Sequence, residues 1–341
     1  MRRLRSYVLR RLLQSILVLL GLSILIFAIS RMVPGDPARM ALGPRTPEWA
    51  VENLRKQLNL DKPLPVQYGL WLSKVVRGDL GDSLVTRRPV TEDLRDFLPA
   101  TMELVAVAAI IEIIGGIMLG VLAARYSQTW FDGVTRILAY LGVATPSFVW
   151  AIIFLLVFSY VWPIFPTTGR LSAGMVVPPR FTGMIVLDSL LSGNWASAWN
   201  CIVHLILPAV SLAMYGVAQA ARITRSSMIE NMDRDSVYAN MAAGVPARVI
   251  MTKYVLKPSL IPSVSVMALD IAAMVVNAFL VEVIFNYPGL SRYGLGAMLN
   301  KDLNAIVAVI LVLGLLFVMV NIIVDFVVAH LDPRISLSGR M

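Results

Sequence analysis

The sequence predicts an all-α polytopic membrane protein with six transmembrane helices and both termini in the cytoplasm. Three observations carry that expectation. Of 341 residues, 57% are hydrophobic and 15% are charged, against about 45–50% and about 25% in soluble domains. Six runs approach the length of about 20 mainly apolar residues that a helix needs to cross a bilayer. Lys and Arg in the short loops between those runs collect on one side. The mean hydropathy of +0.74 leaves much of the apolar surface for lipid, which excludes a soluble enzyme as a class.

The first span is expected at 12–30. Arg2, Arg3, Arg5, Arg10 and Arg11 precede it, as they would a secretory signal. However, the run exceeds the core of about 7–15 residues that such a signal has, and no small-x-small cleavage site follows, so a retained helix is predicted. A polar segment, 31–99, comes next. In it Thr46 is expected to cap a helix with Pro47 at its first position, with Trp49, Val51, Leu54 and Leu58 near one face until Asp61-Lys62-Pro63 breaks it. A second helix starts at Pro65, aligns Tyr68, Leu72 and Val75, and stops at Gly78. These amphipathic helices read either as a structural cap on the outer face or as a docking surface for an extracytoplasmic partner.

Two further spans are expected at 100–124 and 134–161, then an outer loop at 162–200 whose Pro, Gly and Ser predict little regular structure. After a span at 202–221 the chain turns to the cytoplasm. There Ser236 to Ala243 reads as a helix, Gly244 suits its left-handed end, and Pro246 suits the first turn of another helix through Val249, Ile250 and Tyr254. Pro258 and Pro262 mark the start of the fifth span, 259–284, and 305–328 is the sixth. The chain is thus expected to divide into a tail and first span (1–30), an outer helical segment (31–99), a core carrying spans two to six (100–330), and a cytoplasmic tail (331–341).

Orientation follows from the basic residues. With the N-terminus inside, the cytoplasmic pieces hold the five arginines above, then Arg125 and Arg136, then Arg222, Arg225, Arg234, Arg248, Lys253 and Lys257, and finally Arg334 and Arg340. The short outer loops hold Arg170, Arg180, Arg292 and Lys301. The formal charge of +9 is therefore largely a topology signal, and nucleic acid is not expected as a partner.

Several chemistries are missing. One cysteine, Cys201, and two distant histidines, His204 and His330, cannot build a Cys/His metal cage, so no metal site is expected. His204 is followed by Leu205-Ile206-Leu207-Pro208, not by a His-Glu-x-x-His pattern, and Gly289-Leu290-Ser291-Arg292-Tyr293 misses Gly-x-Ser-x-Gly by one residue. No catalytic set is expected. There is no phosphate-cradling Gly-rich loop, so any ATP that drives the chain must bind to a partner. Glu103, Glu112, Asp270, Glu282 and Asp325 lie in or at the ends of spans, where ionisable groups usually face a cavity or a partner. Glu112, beside Gly115, Gly116 and Gly120, and Asp270 are the best candidates for a polar pathway, with a hydrogen-bonded structural role as the alternative. Asn277, Trp150, Tyr160 and Tyr215 are further polar or aromatic residues in the spans, with their facing open. Gly116 and Gly120 form a small-xxx-small face for close helix packing. The knob around Gly244 exposes Tyr238, Met241 and Val245 for a groove on another protein, or is an ordinary loop.

A set of motifs recurs in a fixed order. It runs from Pro34-Gly35-Asp36-Pro37 through Leu60-Asp61-Lys62-Pro63, Gly78-Asp79-Leu80-Gly81-x-Ser83 and Ala100-Thr101-x-Glu103-Leu104 to His204-Leu205-Ile206-Leu207-Pro208-Ala209. It ends with Thr224-Arg225-Ser226-Ser227-Met228, Glu282-x-Ile284-Phe285-x-x-Pro288-Gly289-Leu290-x-Arg292 and Pro333-Arg334-Ile335. In these the chain resembles the membrane subunits of bacterial ABC importers, specifically the first, B-type permease of dipeptide and oligopeptide systems. The resemblance implies the type I ABC importer permease fold and a multi-pass location in the bacterial inner membrane. It also implies that the loop at about 228–258 is the EAA-type coupling loop, with Asp235, Tyr238, Ala239, Met241, Gly244 and Val245 against an ATPase. Here the chain departs from the pattern, with Asn240-Met241-Ala242-Ala243-Gly244 where relatives commonly read Ala-Arg-Ala-Lys-Gly, and Lys257-Pro258 for an Arg-Asn pair. The implied partners are a second homologous permease, two ATPase subunits that bind ATP-Mg, and an extracytoplasmic substrate-binding protein. This chain would bind no cofactor. Peptide is the default solute; a nickel complex, glutathione, an opine or an oligosaccharide is the alternative. An ion-coupled secondary transporter is the reading from a different class.

Overall fold

A computed structural model of the chain describes residues 2–32, 37–43, 45–57 and 59–331. The motif at 34–36, Leu58, and the tail from Asp332 with Arg334 and Arg340 lie outside the described residues, as does the side chain of Asp325. In chain order the helices are α1 (Arg2–Met32), α2 (Pro37–Leu42), α3 (Glu48–Gln57), α4 (Leu64–Val76), α5 (Val90–Arg125), α6 (Trp130–Ala144) and α7 (Ser147–Leu155), which runs on as a π-turn, Leu156–Val161. They continue with α8 (Ile185–Leu191), α9 (Trp195–Met232), α10 (Asp235–Ala242) and α11 (Ala247–Val249) with a π-turn at Ile250–Leu256. Last come α12 (Lys257–Ile284), α13 (Leu290–Leu299) and α14 (Leu303–Leu331). Among the described residues the only β-pairing is an isolated antiparallel bridge between Asp82 and Pro89.

Among the described residues, five helices are long and apolar enough to span a membrane: Leu13–Arg31, Val90–Arg125, Trp195–Met232, Ala247–Ile284 and Leu303–Val324. The third expected span, 134–161, is not one straight helix. α6 and α7 meet at a bend of 111°. The cause is local: Pro146 disfavours helical geometry at the residue before it, and Thr145 is extended at φ −103, ψ 122. Two prolines also shape α12. Pro258 and Pro262 donate no N–H to the preceding turn, and the wider π-turn at Ile250–Leu256 leads into them.

The chain divides into two compact units. One is built from residues 98–292 with the far ends of the first and last helices, the other from residues 8–97 and 293–315. In the first, α9 is the central element. Small residues let its neighbours come close: a Cβ added at Gly116 of α5 would sit 2.5 Å from the Cβ of Ala220, and one at Gly142 of α6 would sit 2.5 Å from that of Ala218. Gly120 meets Thr224 in the same way. The small-xxx-small face of α5 is thus a packing face against α9.

The 162–200 segment is more regular than expected, since it contains α8 and the first turns of α9. Asp188 explains why. Its carboxylate accepts hydrogen bonds from the Thr182 N–H (2.8 Å), the Thr182 hydroxyl (2.7 Å) and the Gly183 N–H (2.9 Å), folding the loop back onto α8. Burial works against the charged form, but these donors outweigh it and hold the carboxyl below its ordinary range. Asn194 then starts α9 by accepting the Ser197 N–H at 3.0 Å.

In the second unit α4 packs along α1. The hydroxyls of Ser23 and Tyr68 lie 2.8 Å apart, and Phe27 meets the rings of Tyr68 and Trp71 at centroid distances of 5.4 and 5.5 Å. Thr46 does not cap α3 as expected. Its hydroxyl donates to the Leu42 carbonyl at 2.7 Å, closing the short α2 instead, and the Pro47 carbonyl accepts the Ala50 and Val51 N–H groups of α3. The loop before α5 is pinned by Asp302, which accepts from the Ser83 hydroxyl at 2.6 Å and the Leu84 N–H at 2.7 Å.

Candidate functional site

The middle of α12 turns one face towards the middle of α9. Asp270 and Asn277, two turns apart on that face, line a cavity of about 430 Å³ together with Tyr215 and Gly216 of α9 and Pro146 and Phe148 at the α6–α7 bend. Glu112 of α5 is fully buried and lies behind Gly216: a Cβ at Gly216 would collide with the Glu112 carboxyl. Asp270 lies within electrostatic range of it. Among the described residues, neither carboxylate oxygen of Glu112 nor Oδ2 of Asp270 has a hydrogen-bond partner. The structure thus brings Asp270, Asn277 and Tyr215 onto one wall with Glu112 beneath it. Trp150 and Tyr160 are not on that wall, and Tyr160 is exposed. The wall combines apolar surface with a few polar groups.

A second cluster, around the turn after α12, behaves differently. Glu103 of α5 forms an ion pair with Arg170 and also accepts the Val186 N–H at 2.8 Å and the Tyr287 hydroxyl at 3.4 Å. The Arg170 guanidinium lies over the Tyr287 ring, 5.6 Å from its centroid. Burial pushes the Tyr287 phenol far above its ordinary range, so it stays a neutral donor. Thr101 accepts the Leu290 N–H at 2.8 Å, and Glu282 accepts the Ser291 N–H at 2.9 Å. Gly289 leaves room for the Glu282 carboxyl, which a Cβ there would displace. Sequence reasoning places Glu103 and Glu282 among the span carboxylates but does not find their partners. Arg170 is 67 residues from Glu103, and no periodicity reports such a pair. The pairing of Arg225 on α9 with Asp132 on α6, with Nη2 to Oδ2 at 2.8 Å, is missed for the same reason.

The third feature is the turned loop after α9. α10 ends in the two bonds of a Schellman cap: the Gly244 N–H donates to Met241 O at 3.0 Å and the Val245 N–H to Asn240 O at 3.1 Å. Gly244 has φ +75 with open space where a Cβ would go, so the backbone alone demands glycine. Beneath the corner Val237, Ile250, Val255, Met228 and Ala124 form a buried cluster. Asp235, Tyr238, Ala239 and Met241 are exposed above it. Val245 corrects the expectation of an exposed side chain: it is half-buried against that cluster, as the apolar residue that follows such a cap commonly is.

Residues 116–337 match the family model described as "Binding-protein-dependent transport system inner membrane component". Residues 4–105 match "Binding-prot-dependent transport system membrane comp, N-term". The chain is 38% identical to the probable D,D-dipeptide transport system permease protein DdpB of Escherichia coli K12, over 95% of each chain. It is 37% identical to the dipeptide transport system permease protein DppB of Alkalihalophilus pseudofirmus, covering 97% of this chain and 99% of that one. With the di/tripeptide transport system permease protein DppB of Pseudomonas aeruginosa it shares 34% identity over 97% and 98% of the two chains.

Proposed function

The chain belongs to the family of binding-protein-dependent transport system inner membrane components, and from that membership we propose that it forms one half of an ATP-driven import path for peptides. The dipeptide and di/tripeptide systems named for its relatives support the solute class. In this reading a second, homologous permease completes the path, two ATPase subunits bind ATP-Mg on the cytoplasmic side, and a substrate-binding protein delivers peptide from outside. Both termini and residues 222–257 face the cytoplasm, and residues 31–99 and 162–200 face outward, as the basic residues of the short loops suggest. The cavity wall with Asp270 and Asn277, backed by Glu112, belongs to the path.

One observation carries the energetic half of the reading. The corner at Gly244 presents Asp235, Tyr238, Ala239 and Met241 outward on a capped, well-anchored helix pair, on a chain whose sequence holds no phosphate-binding loop. Such a rigid knob suits a groove on a partner and transmits displacement directly into α9 and α12. Gly244→Leu tests this. A non-glycine residue at that φ costs about 1–2 kcal/mol, so the corner should rearrange, abolishing peptide uptake and co-purification of the ATPase while membrane insertion persists. Gly244→Asn, which tolerates the left-handed region, should retain both. Unchanged uptake in Gly244→Leu contradicts the assignment.

A further inference from the structure

The second unit holds a cavity that the transport path does not use. It has a volume of about 200 Å³ and lies between the end of α1, the length of α4 and the start of α14. Among the described residues three cationic side chains line it, Arg31, Lys74 and Lys301, against one acid, Asp79, whose carboxylate already accepts the Gly81 N–H. The floor is apolar and aromatic. Arg31 spreads over Phe27, 5.1 Å from the ring centroid, and its Nε has no hydrogen-bond partner among the described residues. A second observation is independent of charge. Gln67 is 7% exposed; its Nε2 donates to the carbonyls of Leu60 and Lys62, while its Oε1, also buried, has no donor among the described residues.

We propose that this cavity is a headgroup site for a glycerophospholipid that carries a hydrogen-bond donor beyond its phosphate, such as phosphatidylglycerol or phosphatidylethanolamine. The three cations supply what a phosphodiester needs. The Gln67 acceptor calls for a hydroxyl or ammonium on the same ligand, since a buried acceptor without a donor is costly. The location selects lipid as the source. The first span ends at Arg31, and α4 reaches down to Ser23 through Tyr68, eight residues or about 12 Å along α1. The cavity itself, at Phe27, Ser30 and Arg31, therefore lies beside the membrane end of the span, at the depth of headgroups. The apolar stretch that follows on α1, with Leu20, Ile24 and Leu25 exposed, is where acyl chains would run.

The test uses the full chain purified in detergent, with added phosphatidylglycerol, phosphatidylcholine or inorganic phosphate, and reads the unfolding midpoint together with retained lipid by native mass spectrometry. Phosphatidylglycerol should raise the midpoint and be retained. Phosphatidylcholine, which has the phosphate but no donor, should do both more weakly, and inorganic phosphate should do neither. Removing two cations, as in Arg31→Gln/Lys74→Gln, should cut retention by about 25-fold, on about fivefold per basic group, whereas Lys56→Gln outside the cavity should leave it unchanged. If that double variant fails to insert, Lys74→Gln/Lys301→Asn carries the same expectation. Equal protection by inorganic phosphate would make this a free-anion site, equal retention of phosphatidylcholine would remove the role of Gln67, and equal retention by wild type and variant would overturn the site. None of these readouts depends on transport, so their failure leaves the permease reading standing.

Discussion

Two groups of carboxylates in the core unit show opposite ways of keeping charge in or near a membrane. Glu103 is satisfied by Arg170, the Val186 N–H and Tyr287, and Glu282 is tied through Oε2 to the Ser291 N–H, although its Oε1 has no hydrogen-bond partner among the described residues. Glu112, behind a cavity wall, carries both oxygens, and Asp270 on that wall its Oδ2, without a hydrogen-bond partner among the described residues. The first arrangement ties loops together, because an ion with fixed partners repays its desolvation only in one geometry. The second stabilises nothing by itself, and charge kept in a span without a structural return points to function.

The largest effect should come from breaking the paired group. Glu103→Ala leaves Arg170, whose side chain is 12% exposed, buried without its counter-ion, and should cost about 3–5 kcal/mol, read as a lower unfolding midpoint of the purified chain. Gly289→Ala drives a Cβ into the Glu282 carboxyl and should cost about 1–3 kcal/mol on the same measurement. The unpaired group should respond the other way. Glu112→Gln and Asp270→Asn should leave stability within about 1 kcal/mol of wild type, or raise it, while Asp270→Asn lowers peptide uptake by reconstituted importer. A stability loss in Asp270→Asn equal to that in Glu103→Ala would erase the distinction.

The smallest effect sharpens the comparison with pH. Asp188 in the 162–200 loop has a folded value below its ordinary one. The stability it contributes is therefore fully present above about pH 4, the ordinary aspartate value, and is lost as pH falls through the lowered folded value. Limited proteolysis between Phe181 and Leu191 should accelerate in that acid range, and Asp188→Asn should flatten the pH dependence.

Most of the architecture is legible in the sequence, because membrane crossing is a property of composition summed over a window. Five of the six apolar runs coincide with helices long and apolar enough to cross, and the run 134–161 with the bent pair α6–α7, without any knowledge of partners. The bend at Thr145-Pro146 is written there too, as the residue pair that ends a helix, but the apolar run 134–161 continues through it and hides the stop. The corner at Gly244 is equally readable, since Gly followed two residues later by Pro is a purely local signal. What stays hidden is long-range pairing. Glu103 with Arg170, Arg225 with Asp132, and Asp302 with Ser83, which are 219 residues apart, leave no periodicity behind. Half-burial of Val245 depends on the cluster beneath it, which is assembled from distant helices. The candidate path residues follow the same rule: their types suggest a pathway, and only the fold places Asp270 and Asn277 on one wall with Glu112 behind it.

Unpaired carboxylates at a cavity wall are also what an ion-coupled carrier would use, so energy source is the most direct test. The measurement is uptake of a labelled dipeptide by vesicles that contain the complete importer and its binding protein, with ATP supplied or withheld and the ion gradient kept or collapsed. Uptake should require ATP and the binding protein and should survive collapse of the gradient. Uptake that persists without ATP and stops when the gradient collapses would contradict the account.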